Sequence, residues 1–460
     1  MLFHSQLFML GFLPPALLAF HAARSQRSRE WVLVVASLLF YGGWDWRFVP
    51  ALVGLTLANW LVVRMWARTG WQGWLSVGVA MNLGVLGVCK YADFVLAQFV
   101  TAAPLGIILP LGVSFFTFQK IGYLLDLRRG DRHVYGLLEF FAFVPFFPQL
   151  IAGPIVRHHE LIPQFARLTS ASWEGVARGL LLFGMGLAKK LLLADAAGQV
   201  ADPLFAAAGQ ASVGLASAGL ASVGLGSVGL GQGWLGAGAY GLQILFDFSA
   251  YSDMAIGLGL MFGLRLPDNF NAPYRATSLR EFWRRWHMTL SRWLRDYVYI
   301  PLGGNRNGQA RNVVLTMVLG GLWHGAAWTF IAWGLAHGVA LAINGAWARA
   351  GWRIPAPLGW VLTLAFVLAA WVLFRAPDFA TAGTMLRGMA GLSGWGPVRI
   401  THGPELAAAV ALALLGPTSQ VVAERFRPRL WLAWPVGAAL AGLVLLAGGR
   451  APNEFIYFQF

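Results

Sequence analysis

Long apolar runs separated by short basic ones dominate this chain. The pattern predicts helical segments near 2–20, 31–41, 48–66, 73–100, 105–126, 137–152, 175–194, 234–263, 312–345, 356–374, 405–423 and 431–448. A spanning helix needs about 20 mostly apolar residues, so these runs predict an all-α polytopic membrane protein with about 11 transmembrane helices, in one integral-membrane domain over 1–460. A porin-like barrel is excluded, because its strands alternate polar and apolar residues instead of staying apolar for a whole crossing.

Two intervals break the pattern. Residues 211–230, ASVGLASAGLASVGLGSVGL, form an imperfect five-residue repeat inside a low-complexity insertion at 209–233. Its period is too short for a solenoid and its glycines argue against a stable helix, so a non-cytoplasmic insertion without chemical role is expected. The interval 265–311 is instead strongly basic, with nine Arg against Asp268, Glu281 and Asp296. Within it SLRE predicts a helix start, with Ser278 capping and Glu281 returning the bond. A single helix from there carries Trp283, His287, Leu290, Leu294 and Tyr297 on one stripe, with Arg284, Arg285, Arg292 and Arg295 opposite. Such a helix belongs in the cytoplasmic-side membrane interface, its aromatic face turned inward.

Composition supports the membrane assignment: of 460 residues 58% are hydrophobic and 12% charged, with 22 Trp and 32 Phe. The formal charge of +15 is spread over short connecting stretches, as the positive-inside rule predicts, and forms no single basic face for nucleic acid. The N-terminal run lacks a basic n-region and carries Pro14-Pro15, so it is expected to be a retained first segment and not a cleaved signal. The single cysteine, Cys89, excludes an intrachain disulfide and a cysteine-based metal site, and no metal is expected.

The run Val313 to Ile343 contains no Asp, Glu, Lys or Arg but does contain His324 and His337. In a helix starting near Asn312, His324 lies about 17 to 18 Å in, near the middle of a hydrocarbon core roughly 30 Å thick. Ionisable groups at that depth face a bundle interior or a cavity. Gly320 and Gly321 share its face, which admits two readings: room for a substrate beside the imidazole, or close helix packing with His324 bonding across an interface. His337 and the remaining histidines are expected to be structural or solvated. In YGLQILFDFSAYSDMAIGLGLMFG, Asp247 and Asp253 are carboxylates in an apolar stretch that must pair or face water.

FWRRWHMTLSRWLRDYVYIPLGGNR followed by GGLWHGAAWTFIAWGLAHG resembles the signature of the membrane-bound O-acyltransferase superfamily, in the bacterial branch of alginate O-acetylation membrane proteins. The likeness extends to LPLGVSFFTFQKIGYLLDLRRG, FFPQLIAGPIVRHHELIPQF, FDFSAYSDMAIGLG and the terminal FIYFQF, so it covers nearly the whole chain. It implies a ring of tilted helices around a thin central cavity, with interfacial amphipathic helices, in a bacterial inner membrane. It makes His324 the essential catalytic histidine and His287 the second functional one. Acyl transfer from a thioester to a hydroxyl needs a base, and an imidazole kept neutral by a low dielectric can accept the proton. The expected donor is acetyl-CoA or another acyl thioester, with no permanently bound cofactor. Donor phosphates are expected to meet Arg284, Arg285, Arg128 and Arg129, and the cavity lining is expected from Trp286, Trp323, Trp328, Gly321, Asp247 and Asp253. A periplasmic transferase partner that modifies an exopolysaccharide is implied as well. The rival classes are a secondary transporter, which an inverted repeat would favour, and a non-catalytic export scaffold.

Overall fold

The computed structural model describes residues 1–100, 104–218, 228–449 and 455–456; among them every regular element is helical and no strand forms. Among the described residues six helices are long and apolar enough to cross a membrane, or seven if the bent pair Gly403–Leu414 with Ser419–Arg425 makes one crossing. The chain is therefore a multi-pass membrane protein.

Fewer long crossings form than the eleven expected because glycine and proline divide the apolar runs. The predicted 137–152 separates into Leu137–Phe143 and Phe147–Leu150, with Pro148 in the first turn of the second, where its missing N–H costs nothing. The predicted 105–126 becomes helical only at Val113–Arg128, after Gly112 turns the chain at φ 74°. At that position a side chain would strike the Leu150 carbonyl. The five-residue repeat goes the other way. Helix α1 (Asp195–Ala218) continues through its first eight residues, so glycine there does not stop a helix already propagating. Residues 219–227 of the repeat lie outside the described residues.

The helices form two compact units: Met1–Ala188, Ala250–Asn269 and Ser419–Gln459 make one, Lys189–Ser249 and Phe270–Thr418 the other. The first is cored by phenylalanines; Phe8, for instance, lies 4.9 Å from Phe3 and 5.4 Å from Phe12 by ring centroid.

The second unit carries α1, the part of α2 (Leu230–Met261) up to Ser249, α3 (Leu279–Arg285), α4 (Met288–Leu294), α5 (Gln309–His324), α6 (Trp328–Arg349) and α7 (Ala356–Arg375). The run predicted as one helix over 312–345 is two, α5 and α6, folded back antiparallel through Gly325-Ala326-Ala327. Small residues bring their backbones into contact. A Cβ at Gly321 would collide with the Phe330 carbonyl, one at Gly334 with the Met317 carbonyl, and one at Gly338 would come within 2.7 Å of Val314 Cα. Tyr274 ties the chain leading into α3 to both α2 and α7. Its hydroxyl donates to the Gly241 carbonyl (2.5 Å) and accepts from Trp371 Nε1 (3.1 Å).

Candidate active site

The basic segment starts where its capping signal predicts, with one change. Ser278 Oγ accepts from the Glu281 N–H at 3.3 Å, but Glu281 returns to the Thr277 N–H (2.8 Å) and hydroxyl (2.9 Å) instead of to Ser278. Burial pushes the Glu281 carboxyl up, but these bonds and the one from Arg285 outweigh it and hold the group below the ordinary glutamate value.

The single amphipathic helix expected from Ser278 onward does not form. It stops at Arg285, Trp286 is extended, and His287 adopts a left-handed conformation (φ 40°, ψ 54°) before α4 begins. For a non-glycine residue this backbone costs roughly 1–2 kcal/mol. The result is that two successive large side chains, Trp286 and His287, both turn fully inward. Side chains 100° apart on a continuous helix would not both do so. Beyond the break Leu290, Trp293, Leu294 and Tyr297 are buried as the stripe predicts, while Arg284 and Arg295 face outward.

His324 ends α5, at the turn of the α5–α6 hairpin, and not in mid-helix as expected. That turn and the α3–α4 break bring the two imidazoles together: their ring centroids are 6.5 Å apart, His287 is 0% exposed and His324 4%. Aromatic rings surround them. His324 meets Trp323 (5.0 Å), Trp333 (5.3 Å) and Phe374 (5.1 Å) edge-on, and His287 meets Phe248 edge-on at 4.7 Å. Trp371 stacks behind Trp333 at 5.8 Å and contacts Trp286 at 4.9 Å, so α7 buttresses the wall. Trp333 also meets His337 at 4.9 Å, whose Nδ1 accepts from Trp283 Nε1 at 3.2 Å. That bond places the proton of a neutral His337 on Nε2.

The remaining candidates divide. Trp323 lies against both imidazoles. Trp286 supports the wall from behind, and Trp328, expected to line the cavity, is 52% exposed. Gly321 packs against α6, where an added side chain would meet the Phe330 carbonyl. Asp247 is bonded by the buried Lys190 Nζ at 2.8 Å, and Asp195 takes the same ammonium at 3.0 Å. The next residue after Asp247 is Phe248, the ring on His287. Asp253 belongs to the other unit, where Gln420 Nε2 donates to it at 2.7 Å. Arg128 and Arg129 are in that unit also, Arg128 donating to Ser76 Oγ. Arg285 is spent on Glu281 and the Asn271 carbonyl, whereas Arg284 lines a cavity.

Sequence reasoning missed Lys190, Asp195, Phe248, Trp333 and Phe374. A usable signal existed for one: Trp333 falls four residues before His337 and three after Phe330, one helical face.

Among the described residues, the group able to hold a metal ion is Asp126 with His158 and His159, in the first unit. Hydrogen bonds already account for the His158 nitrogens, Nδ1 with Tyr135 OH at 2.9 Å and Nε2 with Asp126 at 3.1 Å. The sequence reading expected a structural or solvated role for both histidines; His158 is buried and His159 exposed.

The model of the membrane-bound O-acyltransferase family matches residues 126–380, which include His287 and His324. The chain is 38% identical to the peptidoglycan O-acetyltransferase of Helicobacter pylori, over 86% of this chain and 80% of that protein. It is 42% identical to the probable alginate O-acetylase AlgI of Pseudomonas aeruginosa, over 86% of this chain and 76% of that one. A more distant likeness, 32% over 52% of this chain and 57% of the relative, joins it to the teichoic acid D-alanyltransferase of Streptococcus thermophilus. The chain belongs to the membrane-bound O-acyltransferase family.

Proposed function

We propose that this O-acyltransferase moves an acetyl group from a cytoplasmic thioester, acetyl-CoA, across a bacterial inner membrane for O-acetylation of an extracytoplasmic polysaccharide. The observation that carries the reading is the pair of imidazoles 6.5 Å apart, each placed by a break in a helix. Two relatives matched over most of both chains are named for O-acetylation of such polymers.

In the reaction, His324 accepts the proton of the acceptor hydroxyl as its oxygen bonds to the acyl carbon. The carbon–sulfur bond then breaks, and the departing thiolate takes the proton back. His287 positions the thioester or polarises its carbonyl. His324 is nearly closed off, so the thioester reaches it when Trp323, Trp333 or Phe374 rotates aside. Closed, an aromatic wall of this kind excludes water, which favours transfer over hydrolysis.

The short and broken helices, such as Leu7–Ala22 and α5, complete about 11 tilted crossings in a ring around a thin centre, which is where a donor from one side meets an acceptor from the other. A separate periplasmic transferase receives the acyl group and modifies the polymer. Purified protein incubated with labelled acetyl-CoA tests the reading. Acyl transfer or thioester hydrolysis that disappears in His324→Ala is the expected result, and wild-type activity in that variant overturns the role of His324.

A further inference from the structure

The open end of the α5–α6 hairpin holds a cavity of about 350 Å³ ringed by Arg280, Arg284, Arg295 and Arg349, with Tyr299, Asn305 and Gln309 completing the polar lining. Three of these arginines lack a carboxylate partner. The nearby acids are engaged elsewhere, Glu281 with Arg285 and Asp296 with Arg295; Arg349 donates only to the Gln309 side-chain carbonyl. Guanidinium nitrogens of Arg280 and Arg349 lie 3.7 and 3.5 Å from the point where a Gly345 side chain would begin, so the two like charges converge beside this glycine. Converging guanidinium groups without a counter-charge form a site for an anion with several oxygens, above all a phosphate, which they can grip in bidentate fashion.

The position of the cup identifies which phosphate. Val313 lines it from the first turns of α5, and His324 ends the same helix eleven residues later, about 17 Å along the axis. Phosphopantetheine has thirteen skeletal bonds between phosphorus and sulfur, an extended reach of about 16 Å. Resting on the acyltransferase reading above, we infer that Arg280, Arg284, Arg295 and Arg349 form the phosphate cup for a pantetheine thioester whose sulfur end lies at His324. Of this set only Arg284 was expected from sequence to meet the donor phosphates, and Arg295 was placed only on the basic side of the predicted helix. Arg280 and Arg349 come from helices that converge only in the folded unit.

The test compares two donors on the full chain in vesicles of neutral lipid: acetyl-CoA, and S-acetylpantetheine, which lacks the phosphates. Arg280→Ala and Arg349→Ala are expected to raise KM for acetyl-CoA at least tenfold with kcat nearly unchanged, and the penalty vanishes with S-acetylpantetheine. Arg349→Lys, which keeps the charge but not the bidentate grip, restores part of the loss. If the acyltransferase reading fails, the unaltered protein transfers from neither donor. If only the cup is misassigned, the unaltered protein is active and the arginine variants leave KM for acetyl-CoA unchanged or shift it equally for both donors. An effect of the variants that appears only in vesicles containing phosphatidylglycerol assigns the cup to a lipid headgroup and overturns the donor assignment.

Discussion

The two ends of one helical hairpin differ as much as any two regions of this protein. At the turn, His324 lies edge-on to Trp323, Trp333 and Phe374 and is almost wholly buried. At the open end four arginines ring an accessible cavity. The same backbone contact between α5 and α6, through Gly321, Gly334 and Gly338, holds the two ends at a fixed separation. A thioester donor has the same polarity: phosphates at one end, and at the other an acyl carbon whose reaction depends on excluding water. The difference suggests division of labour, with binding energy gathered at the charged end and chemistry confined to the aromatic one.

The largest expected effect separates the two ends directly. His324→Ala should lower transfer from acetyl-CoA and from S-acetylpantetheine alike, by about a hundred- to ten-thousand-fold, the range for loss of a general base. Cup variants should affect the first donor alone. Steady-state rates with both donors decide it, and a His324 variant impaired with only one donor would erase the distinction.

Next in size is a stability effect at the support of the aromatic end. Lys190→Met leaves Asp247 and Asp195 buried without their ammonium, which should cost about 3–5 kcal/mol. Thermal unfolding in detergent measures it; Lys190→Met with Asp247→Asn and Asp195→Asn should recover much of the loss, since the uncompensated charges are then gone.

His287→Asn is expected to lower kcat by about a hundredfold, the scale of a misplaced reacting group, while leaving the fold intact because Asn tolerates the left-handed backbone. Unchanged turnover in a well-folded His287→Asn would remove its role. His287→Ala, which cannot relieve the backbone strain, should lose stability in addition.

The smallest effect lies at the start of α3. The Glu281 carboxyl is held below its ordinary value, so its contribution is present above about pH 4.5, its unfolded value, and is lost as pH falls through the folded one. Glu281→Gln should therefore flatten the acid limb of a stability–pH profile and change the neutral plateau by a fraction of a kcal/mol, as for a partly exposed pair.

Much of this was legible in the chain. Apolar runs announced a membrane protein of helices because a segment apolar for a whole crossing satisfies its backbone in lipid as a helix, whereas barrel strands alternate. Ser278 marked a helix start, and the uncharged stretch around His324 drew attention to it, since local composition is enough to make an ionisable residue conspicuous there. What composition and periodicity could not decide was where helices break and which side chains then meet. The stripe drawn through Trp283 and His287 assumed one continuous helix, and the depth assigned to His324 assumed another. Both breaks are favoured by contacts made with distant segments: the rings of Phe248 and Phe374 against the imidazoles, Trp371 against Trp286, and the backbone of α6 against the glycines of α5. Residues as far apart in the chain as Arg280 and Arg349 carry no local mark of their meeting, because the energy that unites them comes from the packing of whole helices and is absent from either stretch by itself.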